Sequence, residues 1–430
     1  MYTYQDALEY LDALQIFGIK LGLEQTSELL EAAGSPDKKL KFIHIAGSNG
    51  KGSCGAMFNA TLRRVGFSTG FYSSPHLIST RERFRINGEA ISEKEFADLV
   101  FFLRLYADEM GRAERCPTYF EFTTVMAAVY FARKNVDFVI WETGMGGRFD
   151  ATNVVTPICS VITSIGLDHQ QYLGERVEDI AFEKAGIIKT SRPVIIGQMD
   201  DCAKQVVMKR ADELNALVIE VSEEKIENLK FSTLNSSWIQ SFDFKEYHIN
   251  LAMPGTMQRK NFITVLTVLE YLAVEFDFSL TEALNGLEEA FWPARCQILP
   301  NEIIVDGAHN ADGIKTLLES LHEFAPYQKV PIIFGGFKDK NMFECLEILE
   351  PWAEYFVFLP LETDFRTSWS GEELSEMLKN ISTRKALIAS SPAEALKLTS
   401  KDSLRMICGS LYLAGEFLKL LIPEKEVLNI

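Results

Sequence analysis

The apolar positions of this chain switch between two periods. Short apolar runs of strand length fall at 41–46, 70–72, 138–141, 158–162 and 194–196. Between them, apolar residues recur at helical spacing over 93–110, 119–134, 177–185 and 200–215. Residues 1–34 read as one or two further helices. Strands separated by helices of this length predict a parallel sheet covered on both faces. The pattern then breaks. Residues 218–250 are polar, with short alternating stretches at 226–231 and 237–244, and predict an antiparallel β excursion. Helical spacing resumes at 261–275 and 279–291, and Trp292-Pro293-Ala294-Arg295 interrupts it. A second alternation follows, with strands at 302–305, 330–334, 355–358, 386–388 and 403–407. Its helices lie at 311–324, 341–349, 370–378 and 392–398. The expected fold is α/β: a parallel-sheet first domain over 1–296 with the antiparallel excursion, then a smaller Rossmann-like α/β domain over 297–430, with the boundary near 296–300.

One junction carries chemistry on its face. The apolar run ending at Ala46 enters Gly47-Ser48-Asn49-Gly50-Lys51-Gly52-Ser53, and a helical pattern follows from Cys54 to Arg64. Backbone N–H groups at such a helix start attract an anion, and a lysine adds a mobile positive charge. Against the pattern G-x-x-x-x-G-K-[ST], Gly50-Lys51 fits. Ile45 stands at the first glycine, Gly52 stands at the metal-binding hydroxyl, and Ser53 comes one residue late. A bound magnesium would therefore need ligands from elsewhere. The plainer alternative is a glycine-rich turn with an exposed lysine.

Size and charge narrow the field. A chain of 430 residues with 47% hydrophobic and 24% charged positions has ordinary globular composition and room for two or three domains. A net charge of −17 argues against a nucleic-acid or membrane-surface partner, so an anionic ligand needs a local basic site. The seven cysteines are scattered and form no C-x-x-C pair, which fits a reducing cytoplasm. The first 14 residues lack the basic n-region of a signal peptide, and no uncharged apolar run reaches membrane-spanning length.

In open parallel sheets, ligands sit beyond the carboxyl ends of the strands. After the run at 70–72 come Ser73-Ser74-Pro75-His76, and Ser74 is a candidate for the missing hydroxyl. Arg81, Arg83 and Arg85 occupy alternate positions, which on an extended segment makes a basic strip or, equally, a solvated charged strand. After 138–141, Glu142 closes a buried strand in the position of a magnesium ligand, followed by Thr143-Gly144-Met145-Gly146-Gly147-Arg148-Phe149-Asp150. A capping glutamate before a glycine-rich loop is the plain alternative. After 158–162, Asp168-His169 pairs a carboxylate with an imidazole able to hold a metal or move a proton, or to serve structure alone. By pattern alone, Lys184 is a helix-end lysine favoured by the helix dipole. In the second alternation, Asp306-Gly307-Ala308-His309-Asn310, Gly335-Gly336-Phe337-Lys338-Asp339-Lys340 and Cys408-Gly409-Ser410 each follow a strand, and a cleft facing the first domain is expected.

Together these motifs resemble the folylpolyglutamate synthase/dihydrofolate synthase family of the Mur-ligase-like superfamily, along nearly the whole chain. The resemblance also rests on Ala151-Thr152-Asn153, Glu183-Lys184-Ala185-Gly186-Ile187 and Trp292-Pro293-Ala294-Arg295. It implies ATP held by Asn49, Gly50, Lys51, Gly52, Ser53, Asn261, Arg295 and Asp306. It implies Mg2+ on Ser74, Glu142 and His169, and a carbamylated Lys184 supporting a second magnesium, with a monovalent cation as a further companion. Arg83, His309 and Ser410 match residues associated with the incoming glutamate or the reacting groups, and Lys51, Lys184 and His309 match catalytic positions. Met257 replaces the family's usual histidine before Gln258, Arg81 replaces an asparagine, Ala294 a glycine and Ser48 a threonine.

The implied reaction is carboxylate activation by ATP: a folate carboxylate becomes an acyl phosphate, and the amine of L-glutamate displaces phosphate. Dihydropteroate is a second candidate acceptor. The implied enzyme is a cytoplasmic monomer acting on small molecules. Two other readings compete. A muramyl-peptide ligase carries an N-terminal domain for its UDP-sugar, for which about 40 residues before the phosphate loop are too few. A nucleotide-hydrolysing switch fits the glycine turns equally well but would release phosphate without forming an amide.

Overall fold

The computed structural model describes residues 2–15, 18, 22–112, 115–222, 224–234, 237–324, 329–361, 363, 366–400 and 404–430. Positions 1, 16–17 and 19–21 of the expected helical stretch 1–34 lie outside the described residues. So do 223 and 235–236 of the excursion and 403 of the expected strand 403–407. Two compact units are present. The first comprises Met1–Glu223, Lys260–Leu287 and Leu428–Ile430; the second comprises Glu224–Arg259 and Glu288–Val427.

The first unit holds an eight-stranded sheet. Its strands are β1 (Phe42–Ala46), β2 (Thr69–Tyr72), β3 (Phe84–Ile86), β4 (Glu89–Ala90), β5 (Phe138–Glu142), β6 (Cys159–Ile162), β7 (Val194–Ile196) and β8 (Val218–Glu220). Their order is β4-β3-β2-β5-β1-β6-β7-β8, parallel except for the β2–β3 and β3–β4 pairs. Strands β1, β2, β5, β6 and β7 are buried at every position. That is why they read as unbroken apolar runs rather than alternating ones. Helices Tyr4–Leu14, Glu93–Arg112 and Tyr119–Lys134 contribute Leu11, Phe96, Leu103, Phe122 and Met126 to one apolar cluster with Tyr72 and Trp141 of the sheet. A second cluster joins Ile162 and Val194 to Ile180, Ala203 and Val207 of helices Val177–Lys184 and Asp201–Glu213.

Helix Tyr119–Lys134 begins where the sequence says it should. The Thr118 hydroxyl accepts from the Glu121 N–H, the Glu121 carboxylate accepts from the Thr118 N–H at 2.7 Å, and Asn135 ends the helix in a left-handed turn.

The second unit holds two sheets. Strands β9 (Glu227–Leu234), β10 (Ser237–Phe244) and β11 (Tyr247–Leu251) form the antiparallel excursion in the order β11-β10-β9. Strands β12 (Gln297–Leu299), β13 (Ile303–Val305), β14 (Val330–Phe334), β15 (Ala353–Phe358), β16 (Ala386–Ile388) and β17 (Arg405–Cys408) pair as β12-β13-β17-β14-β15-β16. Only β12–β13 is antiparallel in that sheet. The α/β architecture is as expected. The compact units are discontinuous in sequence, and the excursion clusters with the second of them. Strands β3, β4, β8 and β12 were not anticipated. They are two or three residues long, and at that length no periodicity separates a strand from a loop.

His44 lies in the middle of β1, fully buried, with its Nε2 2.9 Å from the Thr152 hydroxyl. Burial, helped by the Lys189 charge, pushes its imidazole down to about 3, so it stays neutral in the fold. Above the ordinary value of 6.5 both folded and unfolded chains carry a neutral imidazole, and its full contribution to stability is present. As pH falls from there toward 3, only the unfolded chain gains the proton, so stability falls by about 1.4 kcal/mol per pH unit from this group. Urea unfolding at pH 7 and pH 5 should show the native chain losing about 2 kcal/mol more than His44→Gln over that interval.

Candidate active site

The phosphate loop spans the turn between β1 and helix Lys51–Arg64. Gly50 is the N-cap at φ 89°, a left-handed conformation that a glycine adopts without strain. A Cβ there would lie 2.4 Å from the Asn261 Oδ1, and one on Gly47 would lie 1.9 Å from the Thr163 Oγ1. Both glycines are therefore fixed by close approach as well as by turn geometry. A glycine N-cap brings no side-chain acceptor, so the first-turn amides keep their donors for an anion. The Lys51 ammonium folds back and donates to the Gly47 carbonyl at 2.9 Å.

The turn after β6 laces this loop in place. The Ser48 hydroxyl donates to the Gly166 carbonyl at 2.8 Å and accepts from its N–H at 3.0 Å. The Thr163 and Ser164 hydroxyls donate to the Asn49 carbonyl at 2.6 and 3.1 Å. Sequence reading passed over Thr163 and Ser164. Their signal was two hydroxyl residues directly following an apolar strand beside the phosphate loop.

Strands β2, β5, β1 and β6 are consecutive parallel neighbours, so their carboxyl ends share one edge. Ser74, Glu142, the phosphate loop and Asp168-His169 follow them in that order. Glu142 is buried and stands in register with Ile45, while the Thr143 N–H donates to the Ile45 carbonyl at 3.0 Å. Its negative charge reaches the Cys54 thiol in the first turn of the phosphate-loop helix, which burial and that charge push up. His169 is in a left-handed conformation (φ 51°), with its Nε2 3.6 Å from an Asp168 oxygen.

Among the described residues no three His, Cys, Asp or Glu side chains gather as a metal-binding group. Such a donor set still suits Mg2+, which takes one or two carboxylates and fills its remaining positions with water and phosphate oxygens. Glu142 beside the phosphate loop provides one buried carboxylate.

Lys184 ends helix Val177–Lys184, and its side chain is not the solvated dipole partner that its pattern suggested. It is buried. Burial, then the like charge of Lys51, push its ammonium down to about 7, against the pull of Asp168 and Asp150. The loop after β5 packs closely against the main chain on either side of Lys184. A Cβ on Gly147 would meet the Glu183 and Lys184 carbonyls at 2.9 Å, and one on Gly186 would meet the Arg148 Cα at 2.4 Å. Asp150 ties the loop down by accepting from the Met145 N–H at 2.9 Å and the Thr152 N–H at 3.0 Å. Its own carboxyl is pushed up by burial.

The three alternate arginines make neither a basic strip nor a solvated strand. Residues Thr80–Arg83 form a 3-10 turn, and only Arg85 lies in β3. Arg81 donates to the Ile91 carbonyl at 2.8 Å. Arg83, buried, donates from Nε to the His76 Nδ1 at 3.0 Å, with its guanidinium 5.2 Å from the Tyr119 ring centre. Arg85 is fully buried and donates to two main-chain carbonyls. The expectation of a strip failed because a tight turn replaces the extended backbone that alternation requires.

In the second unit, β13, β17 and β14 are neighbours, and Asp306, Gly409 and Gly335 follow them at one edge. Asp306 accepts from the Cys296 N–H at 2.6 Å and the Ala308 N–H at 2.7 Å. Burial pushes its carboxyl up, and Arg295 pulls it back. A Cβ on Gly307 would lie 2.6 Å from the Arg295 Nη1, so Asp306, Gly307 and Arg295 are drawn together. His309 places its Nδ1 2.9 Å from the Gly307 carbonyl. Ser410 is the N-cap of helix Leu411–Leu421, where its hydroxyl accepts from the Tyr412 N–H at 3.1 Å.

With this geometry in view, the chain was compared with known proteins. The Mur ligase middle domain matches residues 45–269, and the Mur ligase glutamate ligase domain matches residues 294–411. The dihydrofolate synthase/folylpolyglutamate synthase of Bacillus subtilis (strain 168) is 34% identical over 450 residues, covering 97% of this chain and 99% of that protein. The crystal structure of folylpolyglutamate synthase from Thermotoga maritima has a TM-score of 0.84 at 31% identity, covering 98% of each chain. A folylpolyglutamate synthase solved with AMPPCP and folate has a TM-score of 0.81 at 27% identity, covering 98% of this chain and all of that one.

The Lys184 environment has a measurable consequence. In a lysine-labelled NMR titration without metal or nucleotide, one side-chain amine should titrate near pH 7 and vanish in Lys184→Met. Lys51→Ala should move that titration upward, because it removes a like charge. A Lys184 signal that titrates with the surface lysines would contradict the burial described.

Proposed function

This chain belongs to the Mur ligase family, among the folylpolyglutamate and dihydrofolate synthases, and on that footing we propose how its residues carry the reaction. The enzyme is an ATP-dependent ligase acting on a folate. The observation that supports this assignment of roles is electrostatic: the Glu142 charge reaches the first turn of the phosphate-loop helix, and the Lys51 charge reaches buried Lys184.

The first-turn amides of helix Lys51–Arg64 and the Lys51 ammonium hold the triphosphate, with Asn49, Gly50, Gly52 and Ser53 shaping the loop and Asn261 against Gly50. Ser74, Glu142 and His169 would hold Mg2+, and the ion would supply charge neutralisation to the triphosphate. The folate carboxylate attacks the γ-phosphorus, ADP departs, and an acyl phosphate remains. The L-glutamate amine then attacks the acyl carbon, and phosphate leaves with the former carboxylate oxygen. Arg83 pairs with a carboxylate of the glutamate, for which the parallel N–H donors of a guanidinium are suited. In the second unit, the assignment of Arg295 and Asp306 to ATP, and of His309 and Ser410 to glutamate and the reacting groups, rests on the family motifs.

Lys184 fits carbamylation. An amine with a value about 7 is substantially neutral at neutral pH, and only the neutral amine adds CO2. From the neutral amine that addition forms an N–C bond, releases one proton and leaves a buried anion. The product places a carboxylate near Lys51, in a setting for a second magnesium.

The test is an ADP-release assay with folate and glutamate supplied together and separately. ADP should form only with both, in step with amide product; phosphate released without glutamate would favour the nucleotide-hydrolysing switch. Running the assay on dihydropteroate and tetrahydrofolate in parallel decides the acceptor. Glu142→Ala should lower kcat by about 10²-fold or more while leaving folding intact, and full amide synthesis by it would contradict the metal assignment. Arg83→Ala should raise KM for glutamate by about tenfold, the cost of losing a charged hydrogen-bond partner.

A further inference from the structure

Residues 74–83 hold Ser74 at one end and Arg83 at the other, with little regular structure between them. One buried carboxylate organises them. Glu82 accepts from three successive main-chain N–H groups: Leu77 at 3.0 Å, Ile78 at 2.7 Å and Ser79 at 2.8 Å. Its side chain also lies 3.9 Å from the Arg85 guanidinium, and both groups are almost wholly out of water. Arg85 donates from Nη1 to the Glu82 main-chain carbonyl at 2.5 Å and from Nε to the Leu428 carbonyl at 3.0 Å. A buried guanidinium tolerates no lost acceptor, because water is not there to replace it. Polar contacts thus run from Leu428 through Arg85 to Glu82, and from Glu82 to three amides of the loop.

The segment bearing Leu428 is held on the same β3–β4 edge. The Ile430 N–H donates to the Gly88 carbonyl at 2.9 Å, and the Arg63 guanidinium donates to the Ile430 carbonyl at 3.3 Å. The Ala90 N–H donates to the Asn429 Oδ1 at 3.4 Å. Gly88 makes room for this contact: a Cβ there would lie 1.8 Å from the Ile430 carbonyl oxygen. Three residues thus lie against Arg63, Arg85, Gly88 and Ala90 of the first unit, to which their contacts assign them although the residues just before them belong to the second.

We propose that Leu428–Ile430 is a latch that sets residues 77–83, with Arg85 and Glu82 as positioning residues for Arg83. The proposal rests on the reading of Arg83 given above. A plainer role, covering a sheet edge against pairing, predicts nothing about the loop.

The experiment compares the full chain with a variant lacking residues 428–430 and with Glu82→Gln, by amide hydrogen exchange and by steady-state kinetics. In both variants the amides of Leu77, Ile78 and Ser79 should exchange about tenfold faster, while those of Ile43 and Val139 in the sheet keep their protection. KM for glutamate should rise about fivefold with kcat at saturation nearly unchanged, the signature of weakened positioning rather than lost chemistry. Unchanged exchange at 77–79 on removal of 428–430 overturns the latch, as does faster exchange that is equal in the loop and in β1 and β5. Faster loop exchange with KM unchanged overturns the positioning role, provided Arg83→Ala raises KM. If Arg83→Ala leaves KM unchanged as well, the reading of Arg83 has failed and the latch stands on the exchange alone.

Discussion

An acidic chain that binds a triphosphate must concentrate positive potential at one place without lowering its overall negative charge. Here backbone geometry does most of this. The helix after β1 opens on Gly50, so its first amides point at whatever follows the strand, and their partial charges cost no desolvation of an ammonium. Lys51 adds the one full charge. The lacing from Ser48, Thr163 and Ser164 then keeps the loop in one shape, because a loose nest of amides would have to be ordered by the ligand at the expense of affinity. Position in the sheet supplies the rest. With β1 between β5 and β6, any polar group closing those neighbours is delivered to the same edge.

That logic explains why the first domain was legible from sequence and also where it was not. Buried parallel strands have to be apolar at every position, so β1, β5 and β6 announced themselves, and the residues after them could be named before any coordinates. Lys184 could not be chosen that way. Its helix is short, its spacing is that of any helix-end lysine, and Gly147 and Gly186 let a loop distant in sequence pack against its main chain. Periodicity reports contacts within an element, and this one forms between two. The arginines failed in the opposite direction. Alternation at Arg81, Arg83 and Arg85 looked like a pattern, but a 3-10 turn holds the first two and β3 the third, and each guanidinium goes to a different acceptor.

The second domain shows a further limit. Asp306 and Ser410 were picked out as polar residues at strand ends, and both are there, but each also has a structural task. Asp306 accepts two main-chain N–H groups, and Ser410 caps a helix. A strand end followed by a helix needs a cap whether or not a ligand binds, so such residues satisfy a structural and a functional reading at once. Composition cannot separate the two. Asp306 carries a discriminating feature that Ser410 lacks, since Arg295 is close enough to offset part of its burial.

Buried charge is the common thread of the residues that matter most. Glu82, Arg85, Glu142, Asp150 and Lys184 are all sequestered from water within one domain. Sequestration of this kind is costly unless each charge finds partners, and the partners here are largely main-chain groups: three N–H groups on Glu82, two carbonyls on Arg85, main-chain N–H groups on Asp150. Main-chain partners cannot be swapped by substitution. They bind the shape of a loop to the charge state of one side chain, so the loop gains rigidity without a larger hydrophobic core. Lys184 differs from the others in the direction of its compensation. Burial, and then the like charge of Lys51, push it toward neutrality more strongly than Asp168 and Asp150 hold it charged.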